Sequence, residues 1–197
     1  MTDHDEIIIQ PQLPNHERKA AAAIYYESFQ SKMRPLFGNA ATAVPLLADA
    51  FNPELGLTAF AHGQVVGLAG LHHQHRQFVQ LRCADLVRHL GVMSAIWRYG
   101  IASLFARAPQ AGELLMDGIA VTQAMRGKGV GTRLLEAVVA FGQAHRYHRV
   151  RLDVINTNPG AQRLYQRFGF VPTATHTYPF MQLFGFTAVT TMVKSII

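Results

Sequence analysis

Apolar side chains recur along the second half of the chain in patterns that predict a regular series of strands and helices. Apolar runs over 113–121 and 148–156 predict two strands, and residues 129–144 repeat apolar positions at the spacing of a helix. A shorter helix is predicted over 158–169, and the segments FVP and FTAVTTMVKSI predict final strands. The order strand, helix, strand, helix, strand indicates an α/β domain with right-handed crossovers.

The first half of the chain gives weaker signals. The apolar run at 7–9 predicts an edge strand, and an alanine-rich helix is predicted over 16–30. A second helical stretch over 39–51 is expected to break at Pro45. The segment GLTAFAHGQVVGLAGLHH predicts two strands joined at HGQ, with Gly63 in the turn.

Residues 76–108 have apolar positions at helical spacing and predict one or two helices before Pro109, as an insertion or a wall beside a binding cleft. The segment HHQHR before them suggests metal ligands. However, His72, His73 and His75 at a strand end cannot all point to one side, and no acidic or cysteine ligand is close in sequence. We therefore predict a polar strand end and no metal site.

The composition is that of a folded protein with one well-buried core. Of its 197 residues 49% are hydrophobic and 15% are charged, so we predict a single domain over 1–197. No uninterrupted apolar stretch is long enough to cross a bilayer, and the N-terminus is acidic where a signal peptide would be basic. Cys83 is the only cysteine, so no internal disulfide is available. These features predict a cytoplasmic protein.

The net charge of +6 is concentrated in one segment. Residues 126–167 carry eight Lys or Arg against two acids, whereas the other 155 residues carry ten charges of each sign. A basic coat over the whole surface would indicate a nucleic-acid or membrane partner, and we expect neither. A local surplus indicates a small polyanion, with a solvated basic face as the alternative.

The hexad RGKGVG at 126–131 lies inside this basic segment. It does not fit a Walker loop, since no Gly-Lys pair in it is followed by Ser or Thr. It fits only two glycines of a dinucleotide loop, because Thr132 stands at the third position and a spacer separates the loop from its strand. The spacing instead favours backbone amides that converge on a pyrophosphate at the N-terminus of the helix beginning near Gly129. The dinucleotide loop stays open as an alternative, with Asp153 as its ribose-binding acid.

The strand LLMDGIAV, a short spacer and RGKGVGTRLL resemble the acyl-CoA-binding motif of the GCN5-related N-acetyltransferases, [Q/R]-x-x-G-x-[G/A]. Arg126, Gly129 and Gly131 occupy its three defined positions. The stretch LDVINTNPGAQRLYQRFGF is also similar to that family's strand, Asn, short helix, Tyr and Gly-Phe. The resemblance covers 113–170, and the first 110 residues carry no motif of comparable specificity.

The resemblance implies a mixed, mostly antiparallel sheet, flanked by helices and splayed between its fourth and fifth strands, 113–121 and 149–155. This is the acyl-CoA N-acyltransferase fold, here with a helical insertion at about 76–108. The implied cofactor is acetyl-CoA, whose pantetheine would pair with the backbone of Ile119, Ala120 and Val121. The implied pyrophosphate-binding residues, with Arg126 at the rim, are Gly127, Lys128, Gly129, Val130, Gly131 and Thr132.

The resemblance also implies roles for individual side chains. Asn158 would contact the cofactor, although it equally fits a helix N-cap, and Tyr165 would protonate the leaving thiolate, although it also fits a packing aromatic. An attacking amine must lose a proton, and three carboxylates are candidates for accepting it. We rank Glu113 first, with Asp117 and Asp153 as the other two candidates, although Glu113 equally fits an ordinary acid at a strand end.

The function expected from the resemblance is transfer of an acetyl group to a primary amine of a small molecule or a protein. Two alternatives remain: an acyl-CoA-binding sensor without catalysis and a nucleotide-dependent oxidoreductase. Residues 25–60 and 72–110 would select the acceptor amine, and they do not reveal its identity. Strands such as FTAVTTMVKSI near the C-terminus also suggest a possible homodimer.

Overall fold

An eight-stranded sheet forms the centre of the fold, and the computed structural model describes residues 6–93, 95, 109–178, 181–182 and 185–197. The strand order is β1-β2-β3-β5-β6-β8-β7, with the short β4 paired to β3. Only β5 and β6 run parallel, so the sheet is mixed and mostly antiparallel, as predicted. The strands are β1 Ile8–Pro11, β2 Gly56–Ala61, β3 Gln64–His73, β4 Arg76–Gln77, β5 Glu113–Val121, β6 Arg149–Ile155, β7 Val171–Thr177 and β8 Ala188–Ser195.

Six α-helices lie in the described part of the chain. They are α1 Arg18–Ser28, α2 Gln30–Phe37, α3 Ala40–Ala50, α4 Cys83–Leu90, α5 Val130–Ala144 and α6 Pro159–Arg167. The predicted break at Pro45 is wrong, because α3 continues through it, and α2 contains Pro35 and was not predicted. Proline has a helical φ, and burial of Leu46 and Leu47 offsets the lost hydrogen bond in α3.

The two faces of the sheet have separate hydrophobic cores. One face is covered by α5 and α6, where Leu134 and Val138 pack against strand residues such as Leu114. The other face is covered by α1 to α4, whose core includes Leu68 of β3 and Ala120 of β5. Residues of one strand alternate between these faces, which explains the near-continuous apolar runs in the central strands.

The predicted insertion begins with β4 and is anchored by Phe78. This ring is fully buried and occupies the space over Gly56 and Gly70, where an added Cβ would lie 2.8 and 2.6 Å from its atoms. Helix α4 follows and packs against α3. The rest of the predicted insertion, 94 and 96–108, lies outside the described residues.

Candidate active site

Strands β5 and β6 separate halfway along their length. Their parallel pairing runs from Glu113 opposite Arg149 to Met116 opposite Leu152 and stops there. Beyond that point β5 stays paired with β3, and β6 stays paired with β8 as far as Ile155. In the strand order these are the fourth and fifth strands, so the predicted position of the splay is confirmed.

Beyond the splay, one edge of β5 pairs with no strand of the described part of the chain. The Thr122 N–H donates to the Val66 carbonyl of β3 at 2.9 Å, so alternation turns the backbone groups of Val121 and Ile119 away from β3. The Val121 carbonyl accepts a hydrogen bond from Arg126 Nε at 3.2 Å, in agreement with this direction. The backbone groups of Ala120 point to β3 instead, and its side chain is fully buried.

The glycine turn leads directly into α5. Gly127 and Gly129 have φ of 79° and 85°, a left-handed conformation that glycine adopts without strain, and Gly129 caps the helix. An added Cβ at either glycine would meet nothing within 4 Å, so the surface outside the turn is open. At Gly131 an added Cβ would lie 2.9 Å from Leu164 Cδ2 of α6. The first amides of a helix have no acceptor within it, so this open turn can hold an anion.

Most of the predicted cofactor residues surround one cavity of about 580 Å³. Its predicted lining residues are Ile119, Val121, Arg126, Gly127, Gly129, Gly131, Thr132, Asn158 and Tyr165. Six predicted or candidate site residues do not line it: Glu113, Asp117, Ala120, Lys128, Val130 and Asp153. Seven lining residues were missed by the sequence interpretation: Ser28, Phe29, Met125, Gly160, Ala161, Leu164 and Arg167. The cavity therefore extends from α6 to the end of α1.

Tyr165 reaches this cavity from the helix α6. Its ring is buried on the α5 face of the sheet, 5.9 Å from the ring of Phe170, and burial raises the pKa of Tyr165 to about 12. The hydroxyl therefore keeps its proton at neutral pH. Helix α6 starts as predicted, since the Asn158 side-chain oxygen accepts from the Ala161 N–H at 3.1 Å and Pro159 is the first helical residue.

Glu113 lies at the closed end of the β5–β6 pair, away from the splay. Its side chain is 3% exposed and contacts Arg149 Nε at 3.3 Å and Arg151 Nη1 at 3.4 Å. The Gln110 N–H also donates to its carboxylate at 3.1 Å. Both carboxylate oxygens are thus occupied by protein donors, which explains how the fold accommodates a buried acid at this position.

Asp117 and Asp153 flank the splay on the face opposite Tyr165. Asp117 Oδ1 contacts His72 Nε2, and its Oδ2 is buried without a hydrogen-bond partner among the described residues. Asp153 Oδ1 accepts from the Thr191 hydroxyl at 2.6 Å, and its Oδ2 is 3.7 Å from Arg151 Nη2. Asp117 and Asp153 are therefore the residues that follow the last paired position on β5 and β6.

A lysine and a tyrosine from the helices face this pair of carboxylates. Burial lowers the pKa of Lys32 on α2, and the charges of Asp153 and Asp117 oppose that shift. Burial and the charge of Asp117 raise the pKa of Tyr25 on α1 above its usual range. The Lys32 ammonium also lies 5.8 Å from the centre of the Phe186 ring. This side of the splay therefore combines acidic, basic and aromatic groups.

The three histidines at the end of β3 point in different directions, as the sequence indicated. His72 contacts Asp117, whereas His73 Nδ1 is 2.8 Å from the Tyr147 hydroxyl. His75 lies in the following turn with φ of 62°. Within the described ranges, no three His, Cys, Asp or Glu side chains gather as they would around a metal ion.

One known protein family matches most of this chain. The family model described as "Acetyltransferase (GNAT) family" matches residues 18–170. The chain belongs to this GNAT acetyltransferase family. The predicted family, the fold class and acetyl-CoA as the family's cofactor are thereby confirmed, and the oxidoreductase alternative is removed.

Individual relatives in the GNAT family match only part of the chain, at low sequence identity. The chain is 30% identical over 73 residues to "Spermine/spermidine N(1)-acetyltransferase" of Bacillus subtilis (strain 168), which is 36% of this chain and 48% of that protein. A probable spermine N(1)-acetyltransferase of Bacillus subtilis subsp. natto (strain BEST195) matches with the same identity and coverage. The chain thus spans about half the length of these relatives.

Solved structures of GNAT proteins share the fold over nearly the whole chain. An acetyltransferase structure superposes with a TM-score of 0.64 at 21% identity, covering 96% of this chain and 100% of that one. The yncA protein of Salmonella typhimurium, solved with its cofactor acetyl-CoA, has a TM-score of 0.63 at 16% identity, covering 97% and 94%. At these identities the likeness establishes the fold alone.

Two further predictions concern membrane association and the pairing of subunits. Of the helices in the described ranges, none has the length and apolar character needed to span a membrane. The strand suggested for pairing between subunits, β8, has both edges occupied by β6 and β7. The free edge at that end of the sheet belongs to β7.

Proposed function

We propose that the protein transfers the acetyl group of acetyl-CoA to a primary amine of a small molecule or a protein. The observation that carries this proposal is the cavity that joins the open edge of β5, the glycine turn before α5 and Tyr165 of α6. Acetyl-CoA, when bound, supplies the acetyl thioester that the amine attacks. The residues of this chain would bind the cofactor, orient the reacting groups, and donate and accept protons.

The cofactor-binding role rests on backbone groups. The N–H and C=O of Ile119 and the N–H of Val121, which point away from β3, would pair with the pantetheine amides as an added strand does, whereas the Val121 carbonyl already accepts from Arg126 Nε. The amides of 127–132 would hold the pyrophosphate, and the missing Cβ atoms at Gly127 and Gly129 leave room for its approach. The side chains of Arg126 and Arg167 line the same cavity and add positive charge.

The proposed proton donor is Tyr165. Its hydroxyl remains protonated at neutral pH because burial disfavours the phenolate. Tyr165 lies on the α5 face of the sheet, whereas the carboxylates at the splay lie on the α1 face. The leaving sulfur would therefore contact Tyr165, and the acceptor amine would contact a carboxylate on the other side of the splay.

Asp117 replaces Glu113 as the proposed proton acceptor. Glu113 is occupied by two arginines and a backbone amide at the closed end of the strands. Asp117 is the first β5 residue past the last paired position, and one of its oxygens has no partner among the described residues. A buried acceptor atom of this kind is suited to an incoming N–H donor.

The acceptor is proposed to be a primary amine of modest charge. The relatives from Bacillus subtilis carry the names of spermine and spermidine acetyltransferases, and Asp117 and Asp153 would attract an ammonium group. Lys32 lies within the field of both carboxylates and offsets part of their charge, which weakens the attraction for a polycation. A homodimer, for which the β7 edge is available, and a cytoplasmic location stay predictions.

Two measurements test the proposed function. Thermal unfolding with acetyl-CoA, CoA and NAD⁺ should show stabilisation by the two CoA species and none by NAD⁺. Release of free thiol from acetyl-CoA should then depend on the addition of an amine from a panel of monoamines, diamines, polyamines and peptides. Stabilisation by CoA without thiol release for any amine would favour the acyl-CoA-binding sensor. No response to CoA would reject the proposal.

A further inference from the structure

The junction between α1 and α2 is fixed on β5 at the point where β6 leaves it. Ser28, the last residue of α1, and Phe29 both line the proposed cofactor cavity. The Phe29 ring covers Gly118, where an added Cβ would lie 2.7 Å from the ring atom Cζ. Gly118 directly follows Asp117, which is the extra residue of a β-bulge against β3. The junction therefore touches both the cavity and the splay.

Lys32 lies one helical turn beyond this junction. Its backbone N–H donates to the Phe29 carbonyl at 3.0 Å, and residues three apart in such a turn lie on the same side of it. Its half-buried side chain brings the ammonium to 5.8 Å from the centre of the Phe186 ring. A primary amine of the protein itself thus lies one turn from the wall of the cavity.

The loop before β8 holds Phe186 against this part of α2. An added Cβ at Gly185 would lie 3.2 Å from Ser31 Cβ, so the loop and the start of α2 are in close contact. The Asn156 side-chain oxygen accepts from the N–H groups of 187 and 188, at 3.1 and 3.2 Å. Asn156 directly follows β6. The surroundings of the Lys32 ammonium are therefore anchored to β6, as the α1–α2 junction is anchored to β5.

Carboxylates from both strands of the splay act on the Lys32 ammonium. Asp117 lies on β5 and Asp153 on β6, and their charges favour the ammonium form, whereas burial favours the neutral amine. Burial is the larger effect, so the pKa of Lys32 lies below that of an exposed lysine. A larger share of this side chain is therefore neutral at a given pH, and the neutral amine is the form that attacks a carbonyl carbon.

We propose that Lys32 is an internal acetylation site, whose ε-amine accepts an acetyl group from acetyl-CoA bound to the same chain. This inference rests on the proposed function, because it uses the same cofactor and the same opening between β5 and β6. It goes beyond that function in naming an acceptor that belongs to the protein. Acetylation turns the ammonium into a neutral amide, so Asp117 and Asp153 lose the charge that offsets theirs. The acetylated protein should therefore attract a polyamine more strongly than the unmodified protein does.

The transfer to Lys32 is balanced in atoms and charge. The ammonium first releases a proton to water, and the neutral nitrogen then forms a bond to the acetyl carbonyl carbon. The carbon–sulfur bond breaks, and the sulfur keeps the electron pair. The nitrogen loses a second proton, and the sulfur gains one through water. The products are Nε-acetyllysine, the free thiol of CoA and one proton, so the step needs no oxidant or reductant.

The test begins with the full chain and acetyl-CoA in the absence of any added amine. The chain has four lysines, so peptide mapping by mass spectrometry can assign acetyl groups to each of Lys19, Lys32, Lys128 and Lys194. We expect acetylation of Lys32 to be at least about tenfold faster than that of Lys19, which is exposed on α1 and reports the uncatalysed background. The rate per molecule should not depend on protein concentration, because donor and acceptor share one chain. An excess of CoA should slow the reaction at Lys32 alone.

Lys32→Arg links the modification to acceptor preference. Arginine keeps the positive charge and stays protonated, so it takes no acetyl group. Preincubation of the wild-type protein with acetyl-CoA should lower KM for a polyamine several-fold relative to KM for a monoamine. The same treatment should leave this ratio unchanged in Lys32→Arg, whereas Lys19→Arg should respond as the wild type does. Thermal unfolding shows whether each variant is folded.

The outcomes separate the internal site from the proposed function. Equal rates at Lys32 and Lys19 would overturn the inference, as would a rate that rises with protein concentration. Acetylation of an added amine without acetylation of Lys32 would overturn it too and leave the proposed function standing. Acetylation of neither would reject both. A ratio of KM values that changes in preincubated Lys32→Arg would remove Lys32 from the control of acceptor preference.

Discussion

Met116 of β5 is paired with Leu152 of β6, and no pair follows it along these two strands. Both side chains are 1% exposed in the core on the α5 face, so the strands are held together up to this point. The next residue of β5 is the bulged Asp117. This position therefore divides β5 into a half that supports the fold and a half with an open edge.

Glu113 and Asp117 lie on the two sides of that division and should behave oppositely. Glu113→Gln leaves two arginines without their buried carboxylate, and we expect a loss of about 2 to 3 kcal/mol in the free energy of unfolding. Its kcat should stay within about twofold of wild type. Asp117→Asn should instead keep its free energy of unfolding and lose most of its kcat. Urea unfolding and thiol-release kinetics measure both effects, and a large fall in kcat for a folded Glu113→Gln would return that residue to the mechanism.

Gly129 and Gly63 provide a matched pair for the glycine turn. Both have left-handed φ, 85° and 73°, and an added Cβ at either would meet nothing within 4 Å. Alanine should therefore cost about 1 to 2 kcal/mol of stability at each site through backbone strain. We expect only Gly129→Ala to weaken acetyl-CoA binding, by about tenfold or more, in a calorimetric titration. Equal affinities for the two variants would remove the turn from the binding site.

Asn158 and Asn39 test whether a helix cap also binds the cofactor. Each accepts a hydrogen bond from the backbone N–H three residues later, Asn158 from Ala161 and Asn39 from Thr42. Replacement by alanine should cost about 1 kcal/mol in either case. Only Asn158 lines the cavity, so only Asn158→Ala should also raise the Kd for CoA. An unchanged Kd would leave Asn158 with capping alone.

Tyr165→Phe should retain cofactor binding and lose most turnover. The same residue predicts a pH effect on stability. The unfolded chain releases a tyrosine proton near the ordinary pKa of about 10, whereas folded Tyr165 keeps its proton to about 12. The stability from this difference is complete below pH 10 and is lost as pH rises to 12, up to about 2 to 3 kcal/mol. Urea unfolding between these values should show a smaller decline for Tyr165→Phe, and identical declines would contradict the buried hydroxyl.

Lys32→Met should change the preference among acceptors. Removal of its charge leaves Asp117 and Asp153 less compensated, so we expect KM for a polyamine to fall several-fold relative to KM for a monoamine. Lys19→Met removes a charge from the exposed part of α1 and is the control. A preference that changes equally in both variants would indicate a general effect of net charge.

Local signals predicted the second half of this protein well. The glycine turn, the Asn158 cap with Pro159 and the apolar run over 113–121 each act through neighbouring residues, and the structure contains all three. The first half was less predictable. Pro45 indicated a break by its local chemistry, but α3 continues through it, and the helix α2, which contains Pro35, was not predicted.

The sequence by itself determined the family, the fold class, the cofactor and the residues of the glycine turn, because these depend on short spacings and local backbone geometry. Only the tertiary structure decided which carboxylate faces the splay. The period of a strand puts Glu113 and Asp117 on the same face, and only the pairing with β6 and the bulge against β3 separate their environments. The contact between Asp117 and His72 joins residues 45 positions apart, so it depends on strand register, which no local pattern encodes.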